Sequence, residues 1–131
     1  MTYSYKHLCS LLVCLMLTCS TFGETIFVKT NATGANDGES WEDAYLSLAD
    51  ALEEAEADDQ IWVAAGTYYP TTSTNRAISF ILPKGVKVLG GFPSSGTPTL
   101  ANRNVASNLT ILSGDINQSG NFERFTSILY W

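Results

Sequence analysis

Three short stretches of this 131-residue chain share one pattern, and that repetition limits what it can fold into more than any other feature. Aligned from Ile61, Val86 and Leu109, the strings IWVAAGTY, VKVLGGFP and LTILSGDI each place apolar residues two apart and a glycine at the sixth position. Their spacings of 25 and 23 residues fall in the range of stacked repeats, where one unit cannot bury its apolar face alone and the next covers it. Residues two apart project to the same side of a strand, and a following glycine permits a sharp corner. The pattern therefore predicts three successive rungs in which Ile61 and Val63, Val86 and Val88, and Leu109 and Ile111 face one interior. Val63, Val88 and Ile111 are expected to stack in line, about 4.8 Å apart.

Not all of the chain belongs to that ladder. Lys6 and His7 precede an apolar run from Leu8 to Leu17, and small or polar residues follow as far as Gly23. A bilayer needs roughly 20 helical residues, so this run is too short to span one and reads as a secretory signal peptide, residues 1–23, cut between Gly23 and Glu24. All three cysteines (Cys9, Cys14, Cys19) and the single histidine lie inside it. The remaining domain, residues 24–131, would carry no disulfide, no thiol chemistry and no imidazole. That excludes the usual zinc sites and the Ser-His-Asp and Cys-His nucleophile systems. Losing Lys6 takes the formal charge from −6 to −7, which argues against nucleic acid or an anionic membrane as partner.

Within residues 24–131, TIFV (25–28) reads as a strand and KTNATGANDGES as a loop rich in turn formers. Ser40 before Trp41, with Asp43 three positions on, resembles a helix start. Trp41, Tyr45, Leu48, Leu52 and Ala55 then recur at helical spacing, which predicts about four turns with one apolar stripe. Glu42, Asp50, Glu53, Glu54, Glu56, Asp58 and Asp59 fall on the opposite face or the helix end, where a solvated acidic surface is expected. ISFIL (78–82) alternates as a half-buried strand does. Pro83 and Gly85 suit the second and fourth positions of a turn into the second rung. The competing arrangement is an antiparallel hairpin of 78–82 with 86–89 in a small α+β domain.

Few residues offer chemistry. Asp115, Asn117, Ser119, Gly120 and Asn121 match the first half of a calcium loop, but Thr126 stands where a bidentate carboxylate is required. Arg76, Lys84, Lys87 and Arg103 are the cations that could meet an acidic sugar, and they are scattered through the sequence. Tyr68 and Tyr69 could stack on a sugar ring or pack on the next rung. Asn31, Asn108 and Asn117 head N-X-S/T sequons. No phosphate-binding glycine motif occurs. No catalytic, cofactor-binding or metal-ligating set can be named from these residues.

The strings GANDGESWEDAYLSLADALEEA, DQIWVAAGTYYPT, VKVLGGFPSSGT and LTILSGDI, taken in order, resemble the N-terminal section of exported bacterial right-handed parallel β-helix proteins of the pectate-lyase-like superfamily. The resemblance spans nearly all of residues 25–117. It implies a mainly β fold, an N-terminal cap helix plus about three coils, with Trp41, Tyr45, Leu48 and Leu52 in the capping role. It also implies a secreted or cell-surface location and contact with polysaccharide or cell-surface glycan. Relatives include polysaccharide lyases, glycoside hydrolases and adhesin-like proteins, so the fold does not choose a reaction. Their catalytic residues lie on later coils, and none can be carried over.

The expectation is a structural or binding unit without a catalytic site of its own, a cofactor or a membrane span. The alternatives are a lyase or hydrolase fragment, or a remnant of a longer gene. Phe122, Phe125, Ile128, Leu129, Tyr130 and Trp131 offer no polar cap for a solenoid end. Further coils encoded beyond Trp131, self-association through the open coil, or a terminal run folded over it as an apolar plug are the corresponding expectations.

Overall fold

The structure, a computed structural model, describes residues 22–116 and the backbone of one further strand at 127–128. Residues 1–21 of the expected signal peptide 1–23, all of the calcium-like loop after Ile116, and the apolar terminal run apart from the backbone of 127–128 lie outside the described residues.

Among the described residues two small sheets and one α-helix enclose the core. Strands β1 (Thr25–Val28), β2 (Gln60–Ala64) and β4 (Lys87–Phe92) form a parallel sheet in the order β1-β2-β4. Strands β3 (Gly66–Tyr68), β5 (Thr110–Leu112) and β6 (Ser127–Ile128) form a second, with β3 parallel to β5 and β6 antiparallel to it. Parallel strands need long crossovers, and the 35 residues from Ile26 to Ile61 and 27 from Ile61 to Val88 supply them. The stacked ladder of the first sheet is Ile26, Ile61, Val88, with Val28 beside Val63. These side chains, with Leu48, Leu52, Tyr68 and Val86, make the main core.

The other face of that sheet is apolar too. Phe27, Trp62 and Leu89 form its ladder, and Trp41, Ala64 and Phe92 pack there. Trp62 and Phe92 stack with ring centroids 4.8 Å apart, while Phe27 tilts against Trp41 at 4.9 Å. The Trp41 indole N–H donates to the Pro98 carbonyl at 2.7 Å, so the connection between β1 and β2 and the loop after β4 are joined across this face. A buried indole needs such an acceptor.

The second and third rungs depart from the expected register. Val88 pairs with Ile61, two residues off the alignment of Val86 with Ile61, and Ile111 pairs with Thr67 of β3 in the other sheet. Val63, Val88 and Ile111 therefore do not stack in line. The cause is the glycine pair. Gly90 and Gly91 stand inside β4 instead of at a corner after it, and the pairing shifts between Trp62 and Ala64. Gly91 has φ +93°, a conformation that side chains rarely tolerate. A Cβ on Gly90 would come within 2.8 Å of the Thr110 Cβ, so only glycine lets β5 approach this closely.

The helix is also shorter than the stripe predicts. α1 spans Leu48–Glu54, with the Ser47 hydroxyl accepting from the Asp50 N–H. Asp43 N–H does donate to the Ser40 hydroxyl at 3.0 Å, as at a helix start, but the return bond is made by the Ser40 hydroxyl to the Asp43 carboxylate at 2.9 Å and not by the Ser40 backbone, and no helix follows. Backbone pairing with β1 takes precedence: Tyr45 N–H donates to Phe27 C=O and Lys29 N–H to Tyr45 C=O, both at 2.9 Å. The stripe consequently divides. Leu48, Leu52 and Ala55 join the main core, Tyr45 packs at its margin, and Trp41 crosses to the outer face.

Residues 78–82 form neither a strand nor a hairpin with 86–89. Phe80 alone packs on the core, and Ile78, Ile81 and Leu82 are exposed. The following turn is shifted by one position, because Val86 N–H bonds Pro83 C=O and so makes Pro83 its first residue and Gly85 its third.

Candidate functional site

The strand β3 and the first turn of α1 flank a groove of about 600 Å3, a size typical of small-ligand clefts (roughly 300–1,000 Å3). Its walls mix apolar Leu46 and Ile78 with Asp50, Glu53, Thr71 and Thr72, and Tyr69 stands among them. Tyr69 is half-buried, which leaves ring surface for contact. The carboxylates of Asp50 and Glu53 belong to exposed residues, and no Lys or Arg lines the groove. Acceptors and an aromatic surface without a cation favour a neutral hydroxylated ligand over an anionic one.

The adjacent tyrosine serves a different purpose. Tyr68 is 2% exposed, and its hydroxyl donates to the Ala64 carbonyl at 2.9 Å. Burial holds this phenol well above its ordinary value, so it is a neutral core group. Of the two sequence candidates for sugar stacking, the structure offers Tyr69.

The four cations are not brought together. Lys87 borders an apolar groove, Arg76 borders another beside Pro70 and Ile116, and Lys84 is exposed. Arg103 Nε donates to Gly90 C=O at 2.7 Å, a bond that fastens the 103–108 loop to β4. Asn108, a sequon residue, likewise donates its side-chain N–H to Gly91 C=O at 3.2 Å, whereas Asn31 is exposed.

Most of the acidic surface is exposed as expected, but Asp59 is not. It is 9% exposed, and its two carboxylate oxygens accept from Glu24 N–H (2.7 Å) and Glu56 N–H (2.8 Å). Asp59 is a clamp joining the start of β1 to the loop after α1. Glu24, Asp37, Glu39, Glu54 and Glu56 line a cleft of about 530 Å3 with Tyr45. Desolvation first, then the charges of Glu54, Asp37 and Asp50, raise the Tyr45 phenol. Hydrogen bonds from Ala35 N–H and the Ser40 hydroxyl hold the Asp43 carboxyl below its usual range. Among the described residues no group of three or more His, Cys, Asp or Glu is arranged to hold a metal. Of the oxygen-bearing positions of the calcium-like loop, Asp115 is described, its N–H bonded to the Ser113 hydroxyl.

A further apolar groove of about 620 Å3 opens beside β4, lined by Leu52, Phe80, Leu82, Val86, Val88 and Leu112. Among the described residues no helix is long and apolar enough to cross a membrane. Comparison of the chain with family models, with curated proteins and with solved structures gave no match.

Sequence reasoning singled out Tyr69 together with Tyr68, and placed Asp50 and Glu53 on an acidic face without bringing them beside Tyr69. Leu46 and Asp50 reach its groove because α1 begins at Leu48, and the stripe beginning at Trp41 pointed to a different helix.

Proposed function

We propose that this chain is the opening section of an exported right-handed parallel β-helix, a structural and binding unit of the cell surface that contacts neutral glycan through the Tyr69 groove. The in-register parallel ladder Ile26–Ile61–Val88 supports the architecture, since its strands succeed one another in chain order and face a core shared with the second sheet. One observation carries the binding reading: a half-exposed aromatic ring stands in a groove with hydroxyl and carboxylate acceptors and no cation. Aromatic rings pack on the apolar faces of sugars, while carboxylates accept from sugar hydroxyls and repel uronates. A uronate-cleaving site would need converging cations, and Arg76, Lys87 and Arg103 border different features.

Affinity electrophoresis of the full chain through gels containing soluble mannan, glucan or polygalacturonate tests this reading. Retardation by a neutral polymer is expected, with Tyr69→Ala weakening it about tenfold, roughly 1.4 kcal/mol. Retardation by polygalacturonate alone, or equal retardation of the variant, refutes it. The intact mass of extracellular protein tests export, with a chain starting at Glu24 expected.

A further inference from the structure

The alternation of ISFIL (78–82) finds no partner strand, yet Ile78, Phe80 and Leu82 share another task. Phe80 and Leu112 belong to the walls of both the apolar groove beside β4 and a second cavity of about 460 Å3, so the two join between these side chains. They form one trough. Ile78 lines its second part and Leu82 its first, which places the three residues two apart along its length. Leu82 is 61% exposed and Ile78 41%, so this rail is apolar surface left facing water.

The two ends differ in chemistry. Beside β4 the wall is apolar, built from Leu52, Val86 and Val88, whereas the other end carries Arg76, Ser79 and Ser113. The Ser113 hydroxyl accepts from Asp115 N–H at 3.2 Å, which leaves its own proton to donate. Arg76 is exposed, and its guanidinium has no hydrogen-bond or ion-pair partner among the described residues. Acidic residues outnumber Lys and Arg by 13 to 7 in the chain, yet no Asp or Glu among the described residues lines either cavity. The trough is therefore complementary to an anion in a chain that otherwise repels anions. Lys87 borders the apolar end, but no hydroxyl stands with it there. A guanidinium fork with hydroxyl donors matches a carboxylate better than a lone ammonium does.

We propose that the trough binds a long-chain fatty acid, its carboxylate received by Arg76, Ser79 and Ser113 and its hydrocarbon tail passing Phe80 and Leu112 into the groove beside β4. Each methylene taken from water by the apolar walls adds to binding, while the single charge fixes the direction of the chain. The site does not rest on the glycan reading, whose aromatic contact, Tyr69, lines neither cavity.

The test uses the full chain and cis-parinaric acid, a fatty acid whose fluorescence rises in apolar surroundings, kept below the concentration at which it forms micelles. Saturable enhancement is expected, displaced by oleate and about tenfold less well by methyl oleate, which keeps the tail and lacks the charge. Arg76→Gln should weaken the acid about tenfold and leave the ester unchanged. Leu82→Asp, at an exposed position, should weaken both, and Tyr69→Ala should alter neither. Absence of saturable enhancement, equal affinity for acid and ester, or a loss on Lys87→Gln in place of Arg76→Gln each overturns the proposal.

Discussion

Replacing Thr110 by Val isolates the joint between the two sheets. Thr110 is 3% exposed; its hydroxyl accepts from Gly91 N–H at 3.0 Å and lies 3.3 Å from the carbonyls of both Val63 and Ala64, between which its single proton is shared. Valine preserves the shape and removes the oxygen. Ala64 C=O keeps its bond from Tyr68, but the N–H of buried Gly91 loses its acceptor. Leaving one buried donor unpaired costs about 1–3 kcal/mol, and about 2 kcal/mol is expected here. Thr110→Ser keeps the oxygen and loses one methyl, about 0.8 kcal/mol. Trp41 and Trp62 sit in the outer cluster, so their fluorescence reports unfolding in urea. With a slope of roughly 1–3 kcal/mol per molar for a small domain, the Val variant should unfold about 1 M earlier and the Ser variant less than half as much. A Val variant within about 0.5 kcal/mol of the parent, or a Ser variant weakened as much as Val, would refute the joint.

Leu52→Asp should lower the urea midpoint far more than Glu53→Ala, because Leu52 is 5% exposed in the main core and Glu53 is exposed; several kcal/mol against about half is expected. Asp59→Asn exchanges one accepting oxygen for a donor, and chemical denaturation should show a loss of about 1–2 kcal/mol from one broken bond to Glu24 or Glu56. The buried Tyr68 phenol ionises later in the folded than in the unfolded chain, so its contribution is complete below about pH 10 and is lost as pH rises further. Midpoints measured across alkaline pH should fall more steeply in the parent than in Tyr68→Phe.

Strand positions were legible because apolar residues two apart in short runs have few other uses, and β1, β2, β4 and β5 all fall where that spacing occurs. The pairing register was not. Aligning Gly66 with Gly91 assumed one role for both, and nothing local distinguishes a glycine that begins β3 from one that bends β4. The outer aromatic face was hidden for a related reason. Phe27, Trp62 and Phe92 lie far apart in sequence, and Trp41 fits a helical stripe as well as it fits their cluster. Exposed Ile81 and Leu82 imitate a strand by alternation alone, without a neighbouring edge to pair them. For the site, Tyr69 was visible as one of two adjacent tyrosines, but which of them turns inward depends on contacts with Ala64 and the core.

The order of strands in the first sheet has a kinetic consequence. β1, β2 and β4 are stacked in the order in which a ribosome makes them, and the far edge of β1 is occupied by the intervening segment through Gly38 and Tyr45. Each new strand of that sheet therefore finds its template already synthesised, and growth proceeds in one direction only. The closures span 35 and 27 residues, and because closure entropy rises only logarithmically with length, their costs are nearly equal. β3 is the exception. It must wait for β5, 44 residues later, so a nascent chain can assemble one wall of the core while the other is still being made.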